Sequence, residues 1–543
     1  MRSHSFALAC SLALGAWGAC STPQDDGGDP EDAVAVDEGK EDNFLSQDAL
    51  EYTLEGKASV TLDASYATKT DAERMAAAKK LIGYKQIEIA WFVTQYFVDK
   101  EDSDANFHFG GFGGMAKGGM WDDLAVTESA DHLTYSFTFK QLAAGPKNLM
   151  SKLKVKTVGA KQVFDLEVGK PTNDEMTHLV TDEEWYRQAP WDAWDPSKVD
   201  ASKKETMTFA IAPDSHVSTD AFFDVNRLIS DGKLDIDVHF GWDYHDNFHL
   251  KHSKDLFGWL QDQGFTAPVS SWDKLTHTSG PFTRTMDANG HQITIEVRIF
   301  FGKPGAENDT ETAAGGKVLE ADIRNSMKTR DVVIFDGHAG PFYGFSMANW
   351  NKTNEGDFDD SEMRTAEIAD KYQVVLAEGC ETYQIGEALL ENPHKAGKNV
   401  DVITSMSFSN AATAIITEDF ISQLIGHDPS NHLRPTNILS LLTKLDRAAS
   451  DATFHTMYGI HGIDEDPHLH PFANTAMFGK KCSANADCGA PGNLCVTMGS
   501  SGKKCTAACA GTSDSGTGCP SSMTCKAVAS ASSATIFGRA CAK

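Results

Sequence analysis

DVVIFDGHAG (residues 331–340) and QVVLAEGC (residues 373–380) decide the fold. Each is a short run rich in β-branched residues that stops at a glycine and a chemically capable side chain, His338 or Cys380. Continuous apolar runs of this length, bounded by turn residues, read as strands buried on both faces. The flanking segments alternate in the same rhythm. LDIDVHF is a strand and LKHSKDLFGWLQDQG a helix closed by Gly264; QITIEVRIFF is a strand and GGKVLEADIRNSMKT a helix. SEMRTAEIADKY, ETYQIGEALLE and ITEDFISQLIG read as further helices around the strands QVVLAEG and VDVITSMSF. Strands separated by such helices predict an α/β unit with a mainly parallel sheet flanked by helices.

Ligands of such sheets gather at the carboxyl ends of the strands, where His338 and Cys380 both fall. With one helix between them, the two should sit on neighbouring strands about 4.8 Å apart. A cysteine after an apolar run is by default a small buried hydrophobe, and a histidine at a strand end is by default solvated. Their joint placement, bracketed by Gly337, Gly340 and Gly379, argues for a site instead. An imidazole can take the proton of an attacking thiol, and backbone N–H groups can hold the oxyanion that forms. Cys380 would then be the nucleophile and His338 the proton-transfer partner, with the N–H of Cys380 and one from Ala339 or Gly340 as the oxyanion hole.

This pattern, an apolar strand ending in His beside Gly and then a second ending in Cys, resembles the caspase-like cysteine peptidases: caspases, metacaspases, gingipains, clostripain and legumain. The resemblance spans Leu234 to Gly426. It implies a caspase-like sheet and peptide-bond hydrolysis with no required cofactor, although some members of the group bind calcium. The residue after the histidine is usually Gly in that group and is Ala339 here, and the caspase Gln-Ala-Cys-x-Gly signature is absent. Metacaspases carry an acid two residues before the nucleophile that recognises Arg or Lys. Glu378 holds that place, with Asp336 as a second candidate, so the resemblance implies a basic residue before the cleaved bond.

The two ends speak of compartment. Residues 1–20, MRSHSFALACSLALGAWGAC, read as an export signal, and Cys20 resembles a bacterial lipoprotein processing site that would carry a lipid anchor. Residues 21–47 are acidic and poor in large apolar groups, as in a disordered tether. The formal net charge of -29 argues against a nucleic-acid partner. Eight of the 11 cysteines fall after residue 480, at 482, 488, 495, 505, 509, 519, 525 and 541, and read as a disulfide-rich module over residues 481–543. With Cys10 and Cys20 in the signal, Cys380 is the one left over. The expected location is extracytoplasmic, on a bacterial outer membrane or cell surface, or secreted.

Between tether and module, residues 48–230 read as an α+β domain and residues 231–480 as the catalytic α/β domain. In the former, TDAERMAAAKKLIGY predicts a helix, while IEIAWFVTQYFV, LTYSFTF and ETMTFAIA predict strands. GGFGGMAKGGMW lacks the end of a phosphate loop and reads as a turn. Three alternatives accompany the peptidase reading. His245 and His249 have the i, i+4 spacing of a zinc helix, but Asp246 stands where a zinc peptidase needs Glu. NKTNEGDFDDSE places Gly356 and Glu362 at positions 6 and 12 of a calcium loop with poor early ligands, so a solvated acidic loop is the simpler reading. The third is a non-enzymatic surface binding lipoprotein on a caspase-like scaffold, with the cysteine-rich module as its contact surface.

Overall fold

The computed structural model describes residues 44–98, 122–177, 185–191, 194–213, 222–243, 247–340, 344–395, 399–406, 409, 413–449, 456–463, 467, 469–509, 519–520, 522–528 and 539–543. The export signal, Cys20, most of the tether and GGFGGMAKGGMW therefore lie outside the described residues.

After β1 (Leu45–Ser46), β2 (Ala49–Thr61) enters a six-stranded antiparallel sheet with β3 (Asp122–Glu128), β4 (Thr134–Pro146), β5 (Lys156–Val158), β6 (Lys161–Gly169) and β7 (Lys204–Pro213). Its order is β3-β4-β2-β7-β6-β5. Strand periodicity makes it two-faced. Tyr135, Phe137 and Phe139 of β4 are buried against the helix Asp71–Val98, while Ser136 and Lys140 face outward. That helix corrects one expectation. IEIAWFVTQYFV is its C-terminal half, not a strand. Ile87, Ile89, Ala90, Phe92 and Val93 are all buried, so no polar face marks the helical period.

The second sheet is larger. It contains β8 (Lys233–Phe240), β9 (Phe282–Ala288), β10 (His291–Phe301) and β11 (Val332–Asp336). The short strands β12 (Ala339–Gly340), β13 (Gly344–Ser346) and β14 (Asp357–Phe358) then make a separate antiparallel sheet beside the tip of β11. β15 (Gln373–Glu378), β16 (Val400–Ser405) and β17 (Tyr458–His461) complete the eight-stranded order β1-β17-β16-β15-β11-β8-β10-β9. The five central strands, β10, β8, β11, β15 and β16, run parallel, and β9 and β17 pair antiparallel at the flanks.

Both faces of this sheet are covered, which explains the unbroken apolar runs. Val332 and Ile334 pack with the helices Phe248–Asp262, Ile415–Leu424 and Ile438–Ala449. Val333 and Phe335 pack with the helices Ala313–Thr329 and Tyr383–Glu391 on the other side. The chain is therefore α/β, with a mainly parallel sheet flanked by helices. SEMRTAEIADKY holds only the single turn Asp360–Met363. The Asn392 side-chain amide takes the carbonyls of Met363 and Ala366, which a longer helix would have used itself.

β1 pairs with β17, so Leu45 and Ser46 belong to the larger sheet although β2 belongs to the smaller. Phe223, Val225 and Leu228 likewise pack in the larger core. At the C-terminus the eight cysteines form four disulfides, Cys482–Cys495, Cys488–Cys505, Cys509–Cys525 and Cys519–Cys541. No helix among the described residues is long and apolar enough to cross a membrane.

Candidate active site

The parallel strands follow the doubly wound order in which the second strand lies outside the first and the third lies on its other side. The chain thus reverses direction between β8 and β11, and ligands of open α/β sheets bind beyond the strand ends at such a point. Asp336 pairs with Phe240 of β8 on one side and with Glu378 of β15 on the other. Three tips therefore emerge side by side, carrying Trp242 and Asp243, His338, and Cys380.

Two glycines make that convergence feasible. A Cβ on Gly337 would stand 2.7 Å from the Cα of Gly241, and one on Gly379 would stand 2.7 Å from the Cβ of Ala339 and 2.8 Å from the oxygen of Gly337. Only a residue without Cβ lets these backbones touch. The Gly337 N–H donates to the Glu378 carbonyl at 3.1 Å, and the Gly241 N–H to the Asp336 carbonyl at 2.9 Å, so backbone bonds continue past the strands.

His338 Nε2 lies 2.9 Å from Asp243 Oδ2. The ring is framed by Trp350, edge-on at 5.7 Å between centroids, and by Trp242 at 6.4 Å. Trp242 is fixed by a 3.0 Å hydrogen bond from its Nε1 to Glu311 Oε1 and by an edge contact with Trp350. Sequence reasoning missed Asp243. It lies 95 positions before His338 (243 to 338), in the stretch read for zinc. An acid just beyond the first strand was the one available signal, and only strand order gives it meaning.

Beneath Asp243 lies His249, buried on the helix Phe248–Asp262; burial pushes its imidazole down to about 4, so it is neutral near neutral pH. His245 lies outside the described residues, and because the helix begins at Phe248 the two histidines do not share one. Glu362 of the suspected calcium loop is held by a capping box with Asp359 and an ion pair to Arg324 at 2.9 Å. Among the described residues, the clusters at metal-ligand spacing consist of cysteines already paired as disulfides.

Comparison with protein-family models, curated proteins and solved structures gave no match.

At the third tip Cys380 is partly exposed, yet the surrounding protein excludes enough water to push its thiol up to about 12. The Ser409 N–H approaches Sγ at 3.5 Å and works against that rise, whereas Glu381 and Glu378 add to it. Glu378 is buried, accepting hydrogen bonds from Ser409 Oγ and, at 2.5 Å, from the Tyr458 hydroxyl. Burial first, and the neighbouring Asp336 second, raise its carboxyl to about 8. Asp336 is also buried and raised by burial, and accepts from Thr417 Oγ1 at 2.7 Å. Neither acid presents an open carboxylate at the surface. Ala339 and Gly340, the expected oxyanion donors, form β12, which pairs with β13 beside His338. In the resting molecule the thiol is protonated, and buried carboxyls whose pKa values burial has raised lie under the strand tips.

Proposed function

We propose that this chain is a cysteine endopeptidase of the caspase-like kind. The observation that supports it best is the pairing of Asp336 with Glu378, which puts the residues two positions further on, His338 and Cys380, beyond adjacent parallel strand ends. The protonated thiol attacks the peptide carbonyl. A sulfur–carbon bond forms as the thiol proton passes to His338. With Nε2 directed at Asp243, Nδ1 is the nitrogen that takes the proton, and the carboxylate stabilises the imidazolium. The oxyanion is held by the N–H of Cys380 with one from Ala339 or Gly340. His338 then gives its proton to the leaving amine as the carbon–nitrogen bond breaks, and water hydrolyses the thioester to return the thiol.

A basic residue before the cleaved bond would meet Glu378 only after Ser409 and Tyr458 release it. The test is therefore a peptide library varied at that position, with wild type, Cys380→Ala and His338→Ala. Both variants should lose at least about 10³-fold in hydrolysis; retained turnover by Cys380→Ala would end the proposal. We further place the protein outside the cytoplasm, held on a membrane through Cys20, a location that suits four disulfides. Cys20→Ser should release it into the soluble fraction.

The raised thiol favours a second reading, a surface binding protein on the same scaffold without turnover. A thiol-selective electrophile at neutral pH separates the two. Labelling of Cys380 in native protein supports the peptidase, and its absence the binding protein.

A further inference from the structure

We propose that Glu381, the residue immediately after Cys380, is a positioning residue that gates the thiol: as a neutral acid it permits thiolate formation, and as a carboxylate it opposes it. The inference rests on Cys380 as the reacting thiol.

Glu381 is held at φ +51°, in the left-handed region that costs a non-glycine residue about 1 kcal/mol. Such strain persists only where the surroundings impose it, and it gathers at functional turns. The side chain is 8 % exposed, and its Oε1 has no hydrogen-bond partner among the described residues. A buried carboxyl left without a donor is costly, and it reduces that cost by staying protonated. Burial alone raises it to about 7.

The groups facing this corner are almost all acidic or neutral. β15 contributes Glu378 and the tip of β11 Asp336, which in turn interacts with Glu418 of the helix Ile415–Leu424. β17 contributes Tyr458, with Asp446 behind it, and the helix Tyr383–Glu391 contributes Gln384, whose buried amide atoms have no partner among the described residues. The cation-forming groups at the strand tips are His338, which faces Asp243, and His252 of the helix Phe248–Asp262, which acts on Asp336. No lysine or arginine among the described residues acts on Cys380, Glu378 or Glu381. A negative charge gained at Glu381 is therefore uncompensated, and it falls beside the sulfur, where it opposes loss of the thiol proton. Glu378 acts in the same sense but is tied down by two hydroxyls, which leaves Glu381 as the less constrained acid.

The test is the rate of iodoacetamide alkylation of the folded full chain between pH 6 and 10. Wild type, Glu381→Gln and Glu381→Gly are compared, with Cys380→Ser as the blank. Glutamine keeps the shape without the charge, and glycine also relieves the backbone. Both variants should react at least about tenfold faster than wild type at pH 8 and within about twofold of it at pH 6. If one variant does not fold, the other decides. A reactive thiol with superimposable curves in wild type and variant overturns the role of Glu381 while leaving the peptidase reading intact. A thiol silent across the whole range in every protein overturns both.

Discussion

The two large sheets use their apolar residues in different ways. The antiparallel sheet buries one face under the helix Asp71–Val98 and leaves the other, with Lys57, Ser136 and Lys140, to solvent. The mainly parallel sheet is covered on both faces, and its strands β11, β15 and β16 bury every residue along their length. Polar groups that reach the strand ends are held between backbones and partly dried, as with Asp243, Asp336 and Glu378. The first arrangement gives an ordinary wet surface; the second concentrates titratable groups in one low-dielectric corner. That difference is why the candidate chemistry sits on one sheet and not on the other.

The sharpest contrast is in stability. Ile334→Ala, in the doubly covered core, should cost about 3–4 kcal/mol in chemical denaturation. Val158→Ala, on the edge of the antiparallel sheet and 57 % exposed, should cost no more than about 0.5 kcal/mol. Equal costs would break the comparison. Next in size, Asp243→Asn should lower peptide hydrolysis by about 10²-fold with little change in melting, because it removes the charge that supports the imidazolium. An unchanged rate would make Asp243 a bystander.

Glu378 sharpens the same contrast through pH. Its carboxyl sits near 8 in the fold against an ordinary 4.5, so the folded state holds an extra proton between those values. Its contribution to stability is full below about pH 4.5, falls as pH rises through 8, and is gone above. Glu378→Gln should therefore gain stability relative to wild type as pH rises, by about 1–3 kcal/mol at pH 8.5, measured by thermal melts across the range. Smallest is the edge where the first strand returns. A Cβ on Gly459 would stand 2.1 Å from the Phe44 ring, so Gly459→Ala should cost about 1 kcal/mol and loosen β1, seen as faster amide exchange at Leu45 and Ser46.

The legible parts of the chain were those where burial leaves a one-dimensional trace. VVIF and VVLA read as strands because a doubly covered strand needs apolar side chains at every position. IEIAWFVTQYFV carries the same trace for another reason. A helix segment buried nearly all round shows no period, and only the Lys85–Glu88 pair, three positions apart and 2.6 Å across, hinted at helical spacing. The His338 and Cys380 tips could be anticipated because each closes its own strand. Asp243 could not, since its relevance depends on β8 lying next to β11.

By itself the sequence determined that alternating strands and helices would build a mainly parallel sheet covered on both faces, that a histidine and a cysteine would end neighbouring strands, and that eight late cysteines would form a stapled module. These follow from local periodicity and from residue chemistry. Tertiary structure alone decided that an aspartate from a third strand meets the histidine, and that Glu378 and Glu381 are sealed rather than open. Strand order and exclusion of water are properties of the assembled fold, and no window of sequence contains them.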